Sequence, residues 1–300
     1  MLADPMWPGD DKKLRFGWLD LLVLAGVAAL FGWLGWRATT GLVYNWNWAV
    51  VPSLFFRLDA ETGAVIPHLL SQGLMVTLRL TFYASIAAAL VGLVIGLCRI
   101  ASGLLPRLIG RSYVELIRNV PPLVFIFVFY FFLSSQIMPL LGIGDYARNL
   151  PVDQRWWFEF FFGDRRLIEA FLSGVIVLAM FEGAYVAEII RGGIQSIPKG
   201  QWEAASSLGL SRLDRMRYVV LPQAIRNTAP PLANQFISLV KDSSIVSLIA
   251  IQELTFMASQ TVVTTQRTFE IWLTIGALYF AICWPLSLLF RRLERRTGRQ

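Results

Sequence analysis

The chain has 300 residues, 56% of them hydrophobic and only 16% charged, with a mean hydropathy of +0.57. Soluble domains carry about 25% charged residues, so the composition excludes an ordinary water-soluble domain and reads as a polytopic membrane protein. The net charge of +7 does not point to nucleic acid: no basic stretch interleaves with aromatics, and the cytoplasmic flanks of membrane spans collect Lys and Arg.

Residues 1–17 form a polar tail with Lys12, Lys13 and Arg15. The apolar run 18–36 follows. No small-residue cleavage site comes after it, and Trp18, Trp33, Trp36, Trp46 and Trp48 suit interfacial anchors, so it reads as a retained first span with Asp20 hydrated at its mouth. An external loop, 37–71, leads to a second span over 72–98. There Gly92 and Gly96 stand at GxxxG spacing, which lets helices approach closely but also arises incidentally in Gly-rich apolar helices.

A loop over 99–120 carries Arg99, Arg107, Arg111 and Arg118, and a third span, 121–141, opens on Pro121-Pro122, where the first helical turn tolerates proline. The outer loop 142–166 holds Trp156, Trp157, Phe158, Phe160, Phe161 and Phe162. This cluster suits an aromatic belt at the membrane surface or, alternatively, a docking face for an external partner. Spans over 167–190, 229–251 and 271–290 complete an all-α fold of six transmembrane helices, closed by a basic tail, 292–300. With both termini inside, 18 of the 27 Lys and Arg lie on inner segments and seven on outer ones, which places the termini and the segment 198–222 in the cytoplasm.

That segment, PKGQWEAASSLGLSRLDRMRYVVLP, is a polar stretch between apolar ones and predicts helix, turn, helix. Glu203, Ala204 and Ala205 favour the first helix, and Gly209 falls where a left-handed residue would end it. Ser211 is placed to cap the second with Asp214 reaching back, and Pro222 is expected to stop it. Arg212, Arg215 and Arg217 make it basic. The residues fit a docking knob for another protein and, equally, an ordinary cytoplasmic loop.

The order Glu203-Ala204-Ala205, Gly209, Leu221-Pro222 resembles the EAA loop of ABC importer permeases, with Val219 where that family usually carries Ile. Tyr113-Val114-Glu115 with Arg118-Asn119-Val120-Pro121, the stretch 183–194, Leu221-Pro222-Gln223-Ala224 and Lys241-Asp242-Ser243-Ser244 are similar to the polar amino-acid subfamily. Val120 replaces its usual Thr. The similarity covers about residues 72–291. It implies a five-helix core of type I (MetI-like) fold, here preceded by one extra span, in a bacterial inner membrane. It further implies a second permease copy or paralogue, two ATP-binding cassette subunits that hold ATP and Mg, and an external amino-acid-binding protein. In such an assembly Glu203, Ala204, Ala205, Gly209, Leu221 and Pro222 couple the permease to the ATPase.

No Gly-Lys dipeptide, HExxH, CxxC or GxSxG occurs, so the chain has no Walker A loop, and neither a catalytic nor a metal-binding residue is expected. His68 is the only histidine, and Cys98 and Cys283 are read as buried free thiols. Lys241 and Asp242 fall near the middle of the fifth span, where each would cost about 2.5–3.5 kcal/mol on a lipid-facing helix. Adjacent helical residues do not face each other, so each needs its own partner, by structural pairing or by lining a translocation pathway together with Ser243. Glu182, within the fourth span where the family more often has a small or hydroxyl residue, would meet Lys241 or the solute. Arg79 is expected to snorkel outward, and Glu188 to pair locally with Arg191.

Overall fold

The computed structural model describes residues 17–40, 44–60 and 63–297. Lys12, Lys13 and Arg15 of the expected N-terminal tail lie outside these residues, as do the last three of the basic tail. The chain divides into two compact units, Met1–Asn47 and Trp48–Gln300. The first contains α1 (Trp18–Thr40), whose entry is fixed by Asp20 accepting the Gly17 N–H at 2.8 Å. Its described side chains are exposed on all faces, and a helix apolar all round belongs in hydrocarbon.

The second unit begins with α2 (Val50–Phe55) and the antiparallel pair β1 (Phe56–Leu58) and β2 (Val65–Pro67), with Phe56 opposite Pro67. The loop expected over 37–71 therefore has structure of its own. Next come α3 (Leu69–Ile100), α4 (Leu104–Asn119) and α5 (Pro122–Val128), the last starting on its two prolines as expected. A π-turn, Phe129–Ser134, joins α5 to α6 (Ser135–Leu141), and α7 (Ile143–Arg148) and α8 (Val152–Phe162) follow. Then α9 (Ile168–Gln195) leads to the hairpin helices α10 (Lys199–Ser207) and α11 (Arg212–Asp214). A second π-turn, Arg215–Val220, runs into α12 (Leu221–Asp242), which tightens to a 3-10 segment, Ser243–Ile249. The chain ends with α13 (Leu254–Thr265) and α14 (Thr268–Thr297).

Among the described residues five helices are long and apolar enough to cross a membrane, and six if the pair Arg212–Ile249 and Leu254–Thr265, bent by 51°, is counted as one span. Span limits differ from those expected wherever polar residues find partners. The fourth helix runs five residues past Ile190, because Arg191 pairs with Glu188 and Ile194 is buried under the hairpin. Pro222 does not stop the hairpin's second helix, which continues into the fifth span. The wide turn before it, closed by the Leu221 N–H on the Met216 carbonyl, absorbs the missing donor and the ring that would break a regular α-helix. The helix instead ends at Ala250, in the left-handed region at φ 59°.

The stretch 99–120 is mostly helix rather than loop. Along α4, Gly110, Val114 and Ile117 are buried, while Leu104, Leu105 and Leu108 are exposed beside Arg107 and Arg111, the pattern of a helix lying in a membrane interface. The outer aromatic cluster divides on α8. Phe158 is buried and Trp157 and Phe162 pack on the core, whereas Trp156, Phe160 and Phe161 face outward.

The centre is α3 laid parallel on α9. Their registers advance together, Leu80 beside Gly174, Val91 beside Gly183 and Gly96 beside Ile190. A Cβ on Gly92 would clash with the Val186 side chain, and one on Gly96 would lie 3.1 Å from the Ala187 carbonyl. The close approach offered by the Gly92/Gly96 spacing is realised. Against the other side of α9 runs α12, antiparallel: Thr228 lies on Gly193 and Gln235 on Glu182. The helix α4 is tied in by the Tyr113 hydroxyl, which donates to the Met180 carbonyl at 2.6 Å.

Candidate functional site

The polar hairpin has the expected form and a well-defined turn. After α10, Gly209 takes φ +78°. Its N–H bonds the Ser206 carbonyl at 3.0 Å, and the Leu210 N–H bonds that of Ala205 at 3.2 Å, a Schellman closure that satisfies the last carbonyls of the helix. Space beyond Gly209 is open, so backbone conformation rather than crowding calls for glycine here. Ser211 caps the next helix through the Asp214 N–H at 3.2 Å. The Asp214 carboxylate accepts from the Ser211 hydroxyl at 2.6 Å, where a full capping box would use the backbone N–H.

Two further contacts bind the arms together: Arg215 donates to the Ser206 hydroxyl, and Gln223 to the Gln201 side chain at 3.3 Å. Beneath them Ile194, Ile197, Val220 and Ala224 form a buried cluster with Ile100, Trp202 and Met216 packed against it. Ala205 is buried, whereas Glu203 and Ala204 point outward. So do large apolar side chains: Leu208 is 80% exposed, Leu213 83% and Tyr218 63%. A braced hairpin rooted in the span core thus presents an apolar tip.

The second constellation lies among the spans. Glu182 is fully buried on α9. Gln235 of α12 donates to its Oε2, the Asp242 carboxyl stands within hydrogen-bond reach, and apart from that second acid Oε1 has no partner. Lys241, one of the two partners expected for Glu182, the other being the solute, is exposed and makes no ion pair among the described residues. The physical reason is rotation: neighbours on a helix differ by about 100°, so Asp242 turns inward and Lys241 away. Ser243 is buried, with its hydroxyl donating to the Val240 carbonyl at 2.8 Å. Glu182, Asp242 and Ser243 are thus on the inner side of the junction where α12 tightens, and Lys241 is not. Gln235 was missed by sequence reading, although it precedes Asp242 by seven residues and so shares its face.

Glu253 was also missed. It is fully buried between the two halves of the bent span. Its Oε1 accepts the Phe256 N–H at 2.8 Å, and its Oε2 accepts the Tyr279 hydroxyl at 3.1 Å and the Thr77 hydroxyl at 3.4 Å. Near the inner end, Glu188 pairs with Arg191 as expected and with Arg99 of α3 as well. Cys98 and Cys283 are free and half-buried rather than buried.

Residues 88–299 match the model of the family described as binding-protein-dependent transport system inner membrane component. The chain belongs to this family. The permease is 34% identical over 228 residues to the glutamine transport system permease protein GlnP of Escherichia coli K12, covering 76% of this chain and 92% of that one. It is 32% identical over 258 residues to the glutamate/aspartate import permease protein GltK of Escherichia coli O6:H1, covering 85% of this chain and all of the relative. Among solved structures it is similar to an amino acid ABC transporter crystallised with histidines, at 39% identity and a TM-score of 0.61, with 76% of this chain and 94% of that one covered. A subunit of the MetNI methionine ABC transporter shares the fold at 17% identity and a TM-score of 0.56, over 76% and 96% of the two chains. The permease is accordingly a multi-pass inner-membrane component with the MetI-like fold, and the family is one of transport proteins rather than enzymes.

Proposed function

We propose that the permease imports polar amino acids as part of an ABC transporter. An external binding protein would deliver the solute, and two ATP-binding cassette subunits would hold ATP and Mg. A second permease, a copy or a paralogue, would complete the pathway. Both termini and the 198–222 hairpin face the cytoplasm in this reading, the extra helix 18–36 precedes the core 72–291, and no nucleic acid takes part. The relatives' names support the substrate class.

The observation that carries the coupling role is the apolar tip of a hairpin braced from within. Leu208 and Leu213, more than three-quarters exposed, have no use in water but suit a groove on another protein. Glu203, Ala204, Ala205 and Gly209 shape the first arm, and Leu221 with Pro222 begins the helix that carries the motion inward. Because Val220 and Ala224 are packed on Ile194 and Ile197, the hairpin, the end of α9 and the start of α12 move as one body. Movement of the partner's groove would then tilt the helices bearing Glu182, Asp242 and Ser243, which line the solute's path. A zwitterion brings an ammonium to such carboxylates, and the unpaired Glu182 Oε1 has capacity to accept from it. Lys241, turned away in this conformation, would meet the solute only after α12 rotates.

Purification of the tagged permease in mild detergent, with its companions identified by mass spectrometry, tests this reading. Recovery of a subunit with a Walker A motif, lost in Gly209→Arg while the permease yield is kept, is the expected result. A single-chain species that accumulates amino acids in ATP-free vesicles under an ion gradient would replace the importer by an ion-coupled transporter using Glu182, Lys241 and Asp242.

A further inference from the structure

A cavity of about 500 Å³ opens between the first turns of α3 and α9, remote from the hairpin that follows the far end of α9. Its charged lining is Arg79, Arg165 and Arg166 against Glu159 and Asp164, one positive charge in excess. Three of these groups are already engaged. Arg165 pairs with Glu159 at 3.5 Å and donates to the Arg148 carbonyl at 3.2 Å. One oxygen of Asp164 accepts the Arg166 N–H at 2.9 Å.

The side chains of Arg79 and Arg166 make no ion pair among the described residues, and of the two only Arg79 is half-buried. With α3 starting at Leu69, Arg79 lies ten residues, or about 15 Å, down the helix. Its guanidinium runs against the loop at Gly163, where a Cβ would stand 3.3 Å from Nη1. A half-buried guanidinium with no counter-ion is costly unless an anion meets it, and its planar fork is matched to a carboxylate.

We propose that this cavity is an outer subsite for a free amino acid, separate from the Glu182–Asp242 constellation. The α-carboxylate pairs with Arg79, and the ammonium faces the remaining oxygen of Asp164. Gln72 and Gln252 offer amides to a polar side chain, and Met75 and Met257 supply apolar wall. The volume falls in the range of small-molecule sites, about 300–1,000 Å³. The site rests on the importer reading: it is a first stop after release from the external protein. The same oxyanion could instead come from a phospholipid headgroup, and the experiment separates the two sources.

The test is saturation-transfer NMR on the full-length permease in phosphatidylcholine nanodiscs, using an equimolar mixture of the common L-amino acids, without ATP or partner subunits. At least one amino acid is expected to give a signal. Its C-amidated analogue, tested on the unaltered protein, is expected to give none. Arg79→Gln is expected to weaken binding roughly tenfold or more, the loss of a charge-assisted pair, with Arg79→Lys between the two. Absence of any signal, equal signals from acid and amide, or unchanged binding in Arg79→Gln would overturn the subsite. Phospholipid that co-purifies with the unaltered protein but not with Arg79→Gln would assign the cavity to a headgroup and overturn it likewise. Failure of any of these, with the ATP-binding subunit still recovered on the hairpin, removes the subsite and leaves the importer.

Discussion

Among the described residues three carboxylates are fully buried, Glu253, Glu182 and Glu270, and the first two are treated in opposite ways. Glu253 sits at a helix N-terminus and accepts from one backbone N–H and two hydroxyls. Glu182 sits in mid-helix, receives one amide N–H from Gln235, faces a second acid and has an oxygen with no donor. A buried charge is tolerable when its oxygens are filled and expensive when they are not. The first arrangement is built for permanence. The second keeps capacity in reserve, which structure alone has no reason to keep.

The contrast breaks most visibly at Glu253. Glu253→Ala removes a cap, a loss of about 1 kcal/mol. It also takes one partner each from the Thr77 and Tyr279 hydroxyls, about 0.5–1.5 kcal/mol per bond, although these keep the Leu254 N–H and the Thr255 hydroxyl. Folded protein recovered in detergent should fall severely, with Glu253→Gln intermediate. If Glu253→Ala gave normal yield and thermal stability, the permanence assigned to this site would be lost. A packing control comes next in size. Gly92→Val forces a side chain into Val186 and should cost about 1–3 kcal/mol, whereas Gly276→Val, with open space around it, should be near neutral. Equal melting temperatures for the two would show that α3 and α9 are less closely apposed than described.

Gly209→Ala comes third, at about 1–2 kcal/mol for a left-handed residue, confined to the hairpin. Circular dichroism should show the spans intact while capture of the ATP-binding subunit weakens. Unfolding of the whole chain would contradict a locally braced tip. The smallest effect on stability belongs to Glu182→Gln. The amide keeps the Gln235 contact and sheds the buried charge, so the melting temperature should hold or rise while uptake in proteoliposomes drops at least tenfold, the size of a charged hydrogen bond. A stability loss as large as that of Glu253→Ala would erase the distinction between the two sites.

Much of this was legible in the residue order, for a simple reason: long apolar runs have one stable form in a bilayer. The spans, the glycine seam at Gly92 and Gly96 and the hairpin with its turn at Gly209 all carried a local signal. What escaped was set by contacts between distant segments. The helices over 104–119 and 254–265 are too polar or too short to read as spans, and their partners lie far along the chain. Gln235 is a neutral amide whose importance comes only from the acid opposite. Pro222 gave the wrong sign because its usual effect on a helix was cancelled by the wide turn before it. Lys241 and Asp242 form no ion pair with each other, as expected, yet which one faced inward depended on the rotation of a helix that starts at Leu221, eight residues before the apolar run.

That unbroken helix makes the hairpin and the buried acid share a single angular register. One residue added between Val220 and Leu221 would turn everything beyond it by about 100° and advance it about 1.5 Å. Gln235 and Asp242 would swing off Glu182 although no residue near the acid had changed. Removing one residue from the wide turn 215–220 would swing them the opposite way. The spacing between tip and acid is therefore itself a piece of information, and a family tree of such chains should tolerate substitutions along this stretch far better than changes in its length.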